Sequence, residues 1–331
     1  MAEQYLRKSS LVVGAPGGDA LEFSDFHFKF FIRKGDIQTP NSIDIRIYNL
    51  STGKDGSTPV GTANKLLSGQ SGPGGSSEFT AVSLQAGYEG SFGLIFAGNI
   101  VQVRIGRESQ ADTYVDIRAA DGDEAYNFAV INKTLAAGSK TVAAIDAIAD
   151  SMKLQKGFIS TLPDTSLPRG KVMYGMARDH MRDVAQTLGA NWSIQDGKLQ
   201  VVSLTGVATG EVTVINSGSG MIGWPEQTPN GIRVRTLLNP NIKIGTIIQI
   251  DNASILAYQL PLGLSQQVAN TLVPRTDWDG YYVVWFTEHH GDTRGQDWYT
   301  DIICLAVDSS NIPGFLNQKV PASNVGVLRD G

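Results

Sequence analysis

Nucleophilic or metal chemistry in this chain would have to draw on four histidines and one cysteine spread over 331 residues. The densest cluster is His289-His290 with Asp292 and Asp297. Neighbouring strand residues point to opposite faces, so the two rings cannot easily close on one ion, and a solvated hairpin turn is the expected setting. His180 stands beside the apolar stripe of a helix, three residues before Asp183, which suits a surface position. His27 shares a strand face with Lys29 and Arg33, again an exposed setting. Cys304 lies in an apolar strand pattern and reads as a small core residue, and a lone cysteine forms no disulfide within the chain. There is no G-x-S-x-G elbow, and GAPGGDA lacks the G-K-S/T ending of a phosphate loop, so its glycines are expected to make a turn. Carboxylate pairs could cleave a glycosidic bond by acid–base chemistry, but none is marked by an apolar setting. These residues point to no catalytic set, no cofactor and no metal, and so shift weight to a structural or binding role.

The elements that carry these residues are mostly strands. The stretch from Ala86 to Asp123 holds a half-buried hairpin: Val101, Val103 and Ile105 alternate with Gln102 and Arg104, then Val115, Ile117 and Ala119 alternate with Tyr114, Asp116 and Arg118. Near the other end, Tyr299-Thr-Asp301-Ile302 follows a strand and a hydrophilic turn, as Tyr114-Val-Asp116-Ile117 does in the first hairpin. Two similar β units flanking a different middle are expected. Earlier, Phe26, Phe28, Phe30 and Ile32 alternate with polar residues, a turn follows, and Ile43, Ile45 and Ile47 continue, an antiparallel pair. Residues 51–77 read as a long Gly- and Ser-rich loop.

In the middle the period changes. Val142, Ile145, Ile148, Ala149 and Met152 share a helical face, with Thr141 or Ser139 as the cap. A second helix is expected from Tyr174 to Leu188, with Ala177, Met181, Val184 and Leu188 as its stripe and Gly189 as its stop. Asp196-Gly197 suits a type I′ hairpin turn. Further on, Ile232 and Val234 alternate with Arg233 and Arg235, and Ile244, Thr246, Ile248 and Ile250 line the next strand. Leu260 to Gly280 reads as a loop or lid, and the tail after Pro313 as peripheral. The reading is a mainly β chain with two antiparallel β units, 1–122 and 206–331, around a small α+β unit at 123–205.

Bulk properties agree. The chain is 41% hydrophobic and 18% charged, with 37 glycines, a turn-rich β composition. No run reaches the ~18 apolar residues of a membrane span, and MAEQYLRKSS lacks a signal-peptide core. Synthesis in a cytosol without membrane insertion is therefore expected. The net charge of −5, with the charges scattered, argues against tight sequence-independent DNA binding.

Several stretches, in family order, resemble the baseplate hub or tail-tip proteins of tailed bacteriophages: NSIDIRIYNLS, LQAGYEG with IFAGNIVQV, DTYVDIRAADGDEAYNFA, LGANWSIQDGKLQVV and GWPEQTPNGIRVRTLLNPNIKIGTIIQID. The resemblance implies that the flanking units are tail-tube-like β-barrels and that Gly87, Tyr88, Gly98, Asp116, Asp121, Asn230, Gly231, Pro240 and Gly245 are structural motif residues. It further implies a homotrimer whose six barrels continue a sixfold tail tube, with a tube or distal tail protein above, a spike protein below, and phage DNA passing through without sequence-specific binding. A strand with one apolar and one polar face can seal a core and wall an aqueous channel. Lys29, Asp44, Arg46, Arg104 and Asp116 are the candidates for that wall. The sequence departs from the family in the Gly-rich 51–77 loop, and it carries no lysozyme-like insertion. Two rival readings remain at this stage, a cell-wall or carbohydrate-active β enzyme using a carboxylate pair and a host-surface binding module. The latter would use Trp278, Tyr281, Trp285 and Trp298, aromatics that strand patterning otherwise assigns to a core.

Overall fold

The computed structural model describes residues 6–14, 20–50, 80–160, 162–163, 165–203, 212–228, 231–250, 255 and 280–306. The first stretch forms seven strands: β1 (Arg7–Gly14), β2 (Ala20–Glu22), β3 (Phe28–Gly35), β4 (Ser42–Tyr48), β5 (Ala81–Tyr88), β6 (Ser91–Arg107) and β7 (Thr113–Ala120). The middle runs α1 (Asp123–Asn127), β8 (Val130–Leu135), α2 (Thr141–Ser151), β9 (Gln155–Ile159), β10 (Lys171–Met176), α3 (Ala177–Thr187), β11 (Ala190–Gln195) and β12 (Lys198–Ser203). The last stretch gives β13 (Thr213–Ile215), β14 (Met221–Thr228), β15 (Gly231–Leu237), β16 (Ile247–Ile250), β17 (Tyr281–Asp292) and β18 (Trp298–Ala306). The expected loops at 51–77 and 260–279, the tail after Pro313, Trp278 and Asn230 lie outside the described residues. Among the described residues no helix is long and apolar enough to cross a membrane.

The protein is mainly β and its large sheet is almost wholly antiparallel. Alternation in β3 and β4 buries Phe28, Phe30 and Ile32 against Ile43, Ile45 and Ile47, which face each other in register. Val115, Ile117 and Ala119 continue that face on β7. Val101 departs from its expected place on the apolar face. The ladder slips between Ile100 and Gln102, so Val101 is the bulged residue and is 58% exposed.

The two outer stretches repeat the same order of strands. In the first it is β3-β4-β7-β6-β5, and in the last β14-β15-β18-β17-β16. Registers repeat too: Arg46 faces Asp116 across β4 and β7, and Arg235 faces Asp301 across β15 and β18. The bulge recurs, since β17 slips between Val284 and Phe286 against β18, with Trp285 in the place of Val101. Beside each bulge the same bond recurs, from Ile100 N to Thr80 O at 2.8 Å and from Val284 N to Thr246 O at 2.9 Å. The units differ at their far edges, where β1 joins β5 antiparallel but β13 joins β16 parallel.

The two stretches are one sheet. β17 pairs through Tyr281–Val283 with β16, then through Phe286–Asp292 with β3 of the first stretch, giving 13 connected strands. Trp298 and Leu238, from the last stretch, are buried in the first core beside Phe30. Trp298 donates from Nε1 to the Gly87 carbonyl at 3.3 Å, and Arg7 bonds the Gly295 and Gln296 carbonyls.

The middle holds its own core of α2, α3 and the β11–β12 hairpin around buried Trp192. Ala177, Met181, Val184 and Leu188 are buried as the stripe requires, and Gly189 is left-handed. The α3 helix starts at Ala177 rather than Tyr174, because Tyr174 belongs to β10, paired with β8. Neither Thr141 nor Ser139 caps α2. Lys140 holds the cap position, and the Thr141 hydroxyl donates instead to the Thr165 carbonyl at 2.7 Å. The β16 strand is shorter than its apolar pattern: Ile244, Ile248 and Ile250 are buried, but the Thr246 hydroxyl donates to the Lys243 carbonyl in a preceding turn.

Candidate functional site

All five candidate wall residues line one hollow of about 570 Å³ on the polar face of β3, β4, β7 and β6. Their even spacing along extended strands puts them there. Arg46 bonds Asp116 through Nε at 2.7 Å and Nη2 at 3.1 Å, and its guanidinium lies 3.9 Å from the centre of the Tyr114 ring. Arg104 reaches the same carboxylate at 3.3 Å. Arg118 bonds Asp44 at 2.8 Å, and Lys29 pairs with Asp292 at 3.5 Å. Lys29, Arg46, Arg104 and Arg118 thus meet Asp44, Glu108 and Asp116 in the lining, a wall of nearly balanced charge.

A second polar cluster, which the sequence reading left off its candidates, stands at the equivalent place on the last strands. Arg235 bonds Asp301 at 2.7 and 2.9 Å and lies 4.2 Å from the centre of the Tyr299 ring, while Arg233 bonds Asp301 at 3.0 Å. Burial pushes the Asp301 carboxyl up, but the bonds from Arg235 and Arg233 outweigh this and hold it below the ordinary range. The signal was present: two arginines spaced by one residue, opposite a Tyr-x-Asp that copies Tyr114-Val-Asp116. Glu288, His290 and Asp301 have ligand atoms within 4.8 Å of one another, a spacing that could hold a metal ion. The two arginines already occupy Asp301, so the cluster fits a cation poorly.

The histidines are better placed than their expected solvated settings. His289 and His290 are in β17, not in its turn, and do point to opposite faces. His289 is buried, bonds Thr300 at 2.9 Å, and burial holds its pKa down at about 3. His290 stacks on Tyr299. His27 bonds Asp292 at 2.8 Å and stacks on Tyr48, so it is partnered rather than free. Cys304 is buried, and burial pushes its thiol well above the ordinary value, as a core residue requires. Of the aromatic candidates, Trp298 is buried, Trp285 is part-buried and Tyr281 is exposed at the sheet surface.

Most motif residues lie at joints. Asp121 is fully buried and accepts bonds from the Asp196 and Gly197 amides at 2.6 and 2.8 Å, clamping the β11–β12 turn to the end of β7. Asn41 adds bonds to the Ile194 carbonyl and Gln195, and Lys34 pairs with Asp196. Burial pushes the Asp121 carboxyl up to about 6. A raised carboxyl suits a general acid, but this one is sealed beneath a turn where no substrate can reach it. Gly87 offers its carbonyl to Trp298, and Tyr88 is buried. A side chain on Gly98 would strike the Ala120 carbonyl, and one on Gly231, at φ +130°, the Cys304 carbonyl. Pro240 packs beside Gly93, and the left-handed Gly245 donates to the Val284 carbonyl at 2.8 Å.

Solved structures with a similar fold include two tail proteins and a type VI secretion component. A 43 kDa tail protein of prophage MuSo2 from Shewanella oneidensis superposes with a TM-score of 0.57 at 8% identity, over 93% of this chain and 99% of that one. A tail protein of Neisseria meningitidis gives 0.54 at 10% identity, over 91% and 96%. An Escherichia coli type VI secretion component, described as similar to the T4 tail proteins gp27 and gp5, gives 0.50 at 9% identity, over 85% and 73%. No curated protein matches the sequence. The family model for baseplate hub gp41 matches residues 22–255, well over half of the sequence, and on that match the chain belongs to the baseplate hub gp41 family.

Proposed function

We propose that this structural tail protein is a hub at the tail tip: a homotrimeric ring whose six β units, two per chain, adapt a sixfold tail tube to a threefold spike. The observation that carries the reading is the internal repeat, in which strand order, Arg–Asp register and bulge position all recur. A chain with two equivalent units imitates six subunits with three copies. The two units act as barrel-like walls, 1–122 and 206–331, with 123–205 as a separate appendage. The polar face lines the path for DNA. Its carboxylates are matched by arginines, so a phosphate backbone meets little net attraction and slides through. The role needs no catalytic group, and neither Asp116 nor Asp301 is free to act as one, since both are held by arginines.

Averaged electron micrographs of the assembled ring, viewed down its axis, test this. Threefold rings with six similar lobes are expected, and a ring of any other symmetry removes the reading.

A further inference from the structure

The seam between β17 and β3 turns two ionisable side chains onto a face that is otherwise hydrocarbon. Phe28, Phe30 and Ile32 of β3 face the core, and Lys34 is next on that face. Across the seam His289 stands opposite Ile32 and Thr287 opposite Lys34. Lys34 is 7% exposed and His289 2%. Polar groups this deep cost stability unless they are bonded. Lys34 pairs with Asp196, but His289 uses only Nδ1, for Thr300, and its other ring nitrogen has no partner among the described residues.

Both side chains border a hollow of about 350 Å³ where the three stretches of the chain meet. The first stretch brings Lys34, the middle one Asp196 and Lys198, and the last one Lys243 and His289. Bonds between stretches tie its rim, Lys34 to Asp196 and Gln200 Nε2 to the Ile244 carbonyl at 3.4 Å. Three lysines thus meet one carboxylate, and Lys34 already holds that carboxylate. Among the described residues neither Lys198 nor Lys243 has an ion pair. Asp121, which bonds the Asp196 and Gly197 amides, is not part of the lining. Leu94, Phe158, Ile242 and Ile244 make the rest of the wall apolar.

We infer that this hollow binds a small organic anion, with a carboxylate or phosphate head held by Lys198, Lys243 and His289 and a short apolar body packed on Leu94 and Phe158. Lysine ammonium groups and an imidazole N–H give such a head charge-assisted bonds. The Thr300 hydroxyl donates to Nδ1 of His289, which leaves the ring proton on Nε2 to donate to the anion. Burial, and next the charge of Lys34, keep that ring neutral, so it acts as a donor without adding charge. The volume is near the lower end of small-molecule sites, about 300–1,000 Å³, and suits a ligand of few atoms rather than a length of polypeptide. Because the ligand touches all three stretches, it favours their packed arrangement and raises Tm. The site belongs to a single chain and stands or falls apart from the ring reading.

Four probes separate head from body on the full chain: butyrate and butyl phosphate carry both, inorganic phosphate only the head, and n-butanol only the body. Calorimetric titration should show saturable binding of butyrate or butyl phosphate at about 10 mM or below. Inorganic phosphate should bind more weakly and n-butanol not at all, and the binding probe should raise Tm. Lys198→Gln and Lys243→Gln should each weaken binding about tenfold, whereas Lys153→Gln, also on the middle stretch, should leave it unchanged. Both lysines of the site are exposed, so these variants are expected to fold, which far-UV circular dichroism checks. Independently of any variant, nitrogen-15 spectra of the ring should show His289 protonated at Nε2 and shifting as the probe is added. Neither butyrate nor butyl phosphate binding, affinity indifferent to both glutamine variants, binding of n-butanol as tight as that of the anions, or a His289 ring that ignores the probe would each overturn the site.

Discussion

Arg235 donates to Asp301 at 2.7 Å through Nε from the position directly across the β15–β18 ladder, and Arg46 does the same to Asp116 across β4 and β7. The two pairs differ in burial, for the Asp301 side chain is 5% exposed and that of Asp116 22%. Removing a well-buried carboxylate strands two arginines, though here these are nearly half exposed, which reduces the cost. Asp301→Ala is expected to cost about 1–3 kcal/mol and Asp116→Ala about 1 kcal/mol or less, read as shifts in urea midpoint. Equal losses would show that burial does not govern these clusters. Because its bonds depress the Asp301 pKa, the stabilisation is present above the ordinary carboxyl range and is lost as pH falls through the lowered value.

Asp121 runs the other way. Its pKa of about 6 in the folded chain lies above the ordinary 3.8, so the folded state holds a proton that the unfolded state has released between those values. Its contribution is therefore fully present below the ordinary value and is lost as pH rises through about 6, by about 3 kcal/mol at most. Carbon-13 NMR should show one aspartate carboxyl titrating near 6 that is missing in Asp121→Asn. The variant should also flatten the fall in stability between about pH 4 and 6. Titration of every aspartate near 4 would refute this.

Trp298 anchors the last stretch in the core of the first, so Trp298→Ala should cost about 3–5 kcal/mol. The loss should appear in both outer units at once. Hydrogen exchange of β4 and β7 amides, far from the substitution in sequence, should speed up together with that of β18. Protection unchanged in β4 and β7 would separate the two cores.

The balance of charge on the wall can be tipped. Particles bearing Asp44→Lys and Gln102→Lys are expected to release DNA more slowly at low salt and to recover as salt rises, because each added cation holds a phosphate. Release kinetics followed by a DNA-binding dye give the answer. Kinetics that ignore both the substitutions and the salt would take the hollow off the DNA path.

Local pattern made much of this legible. Alternation located β3, β4 and β7 with their buried faces, and the stripe of α3 was right from Ala177 to Leu188. The copy of Tyr114-Val-Asp116 at Tyr299-Thr-Asp301 disclosed the repeat. Alternation cannot show a bulge, which shifts the period by one residue without changing composition, and so Val101 was placed on the wrong face. Nor can it show pairing between distant strands. The β17–β3 seam and the Lys34, Asn41, Asp121 and Asp196 clamp depend on contacts that no spacing within a window records. His289 was misjudged for the same reason, since the element that buries it is far away in the chain.

The β17 strand has a consequence for how the protein is made. Strand β3 leaves the ribosome about 250 residues before its partner in the seam, since Gly35 pairs with Phe286. At synthesis rates of about 5–20 residues per second, its outer edge stays bare for more than about ten seconds. Contacts between residues so far apart also slow folding, because the intervening chain must close as a loop before the pairing gives any return. A nascent chain stalled before Phe286 should therefore be sticky and bound by chaperones, and one released after Ala306 should not.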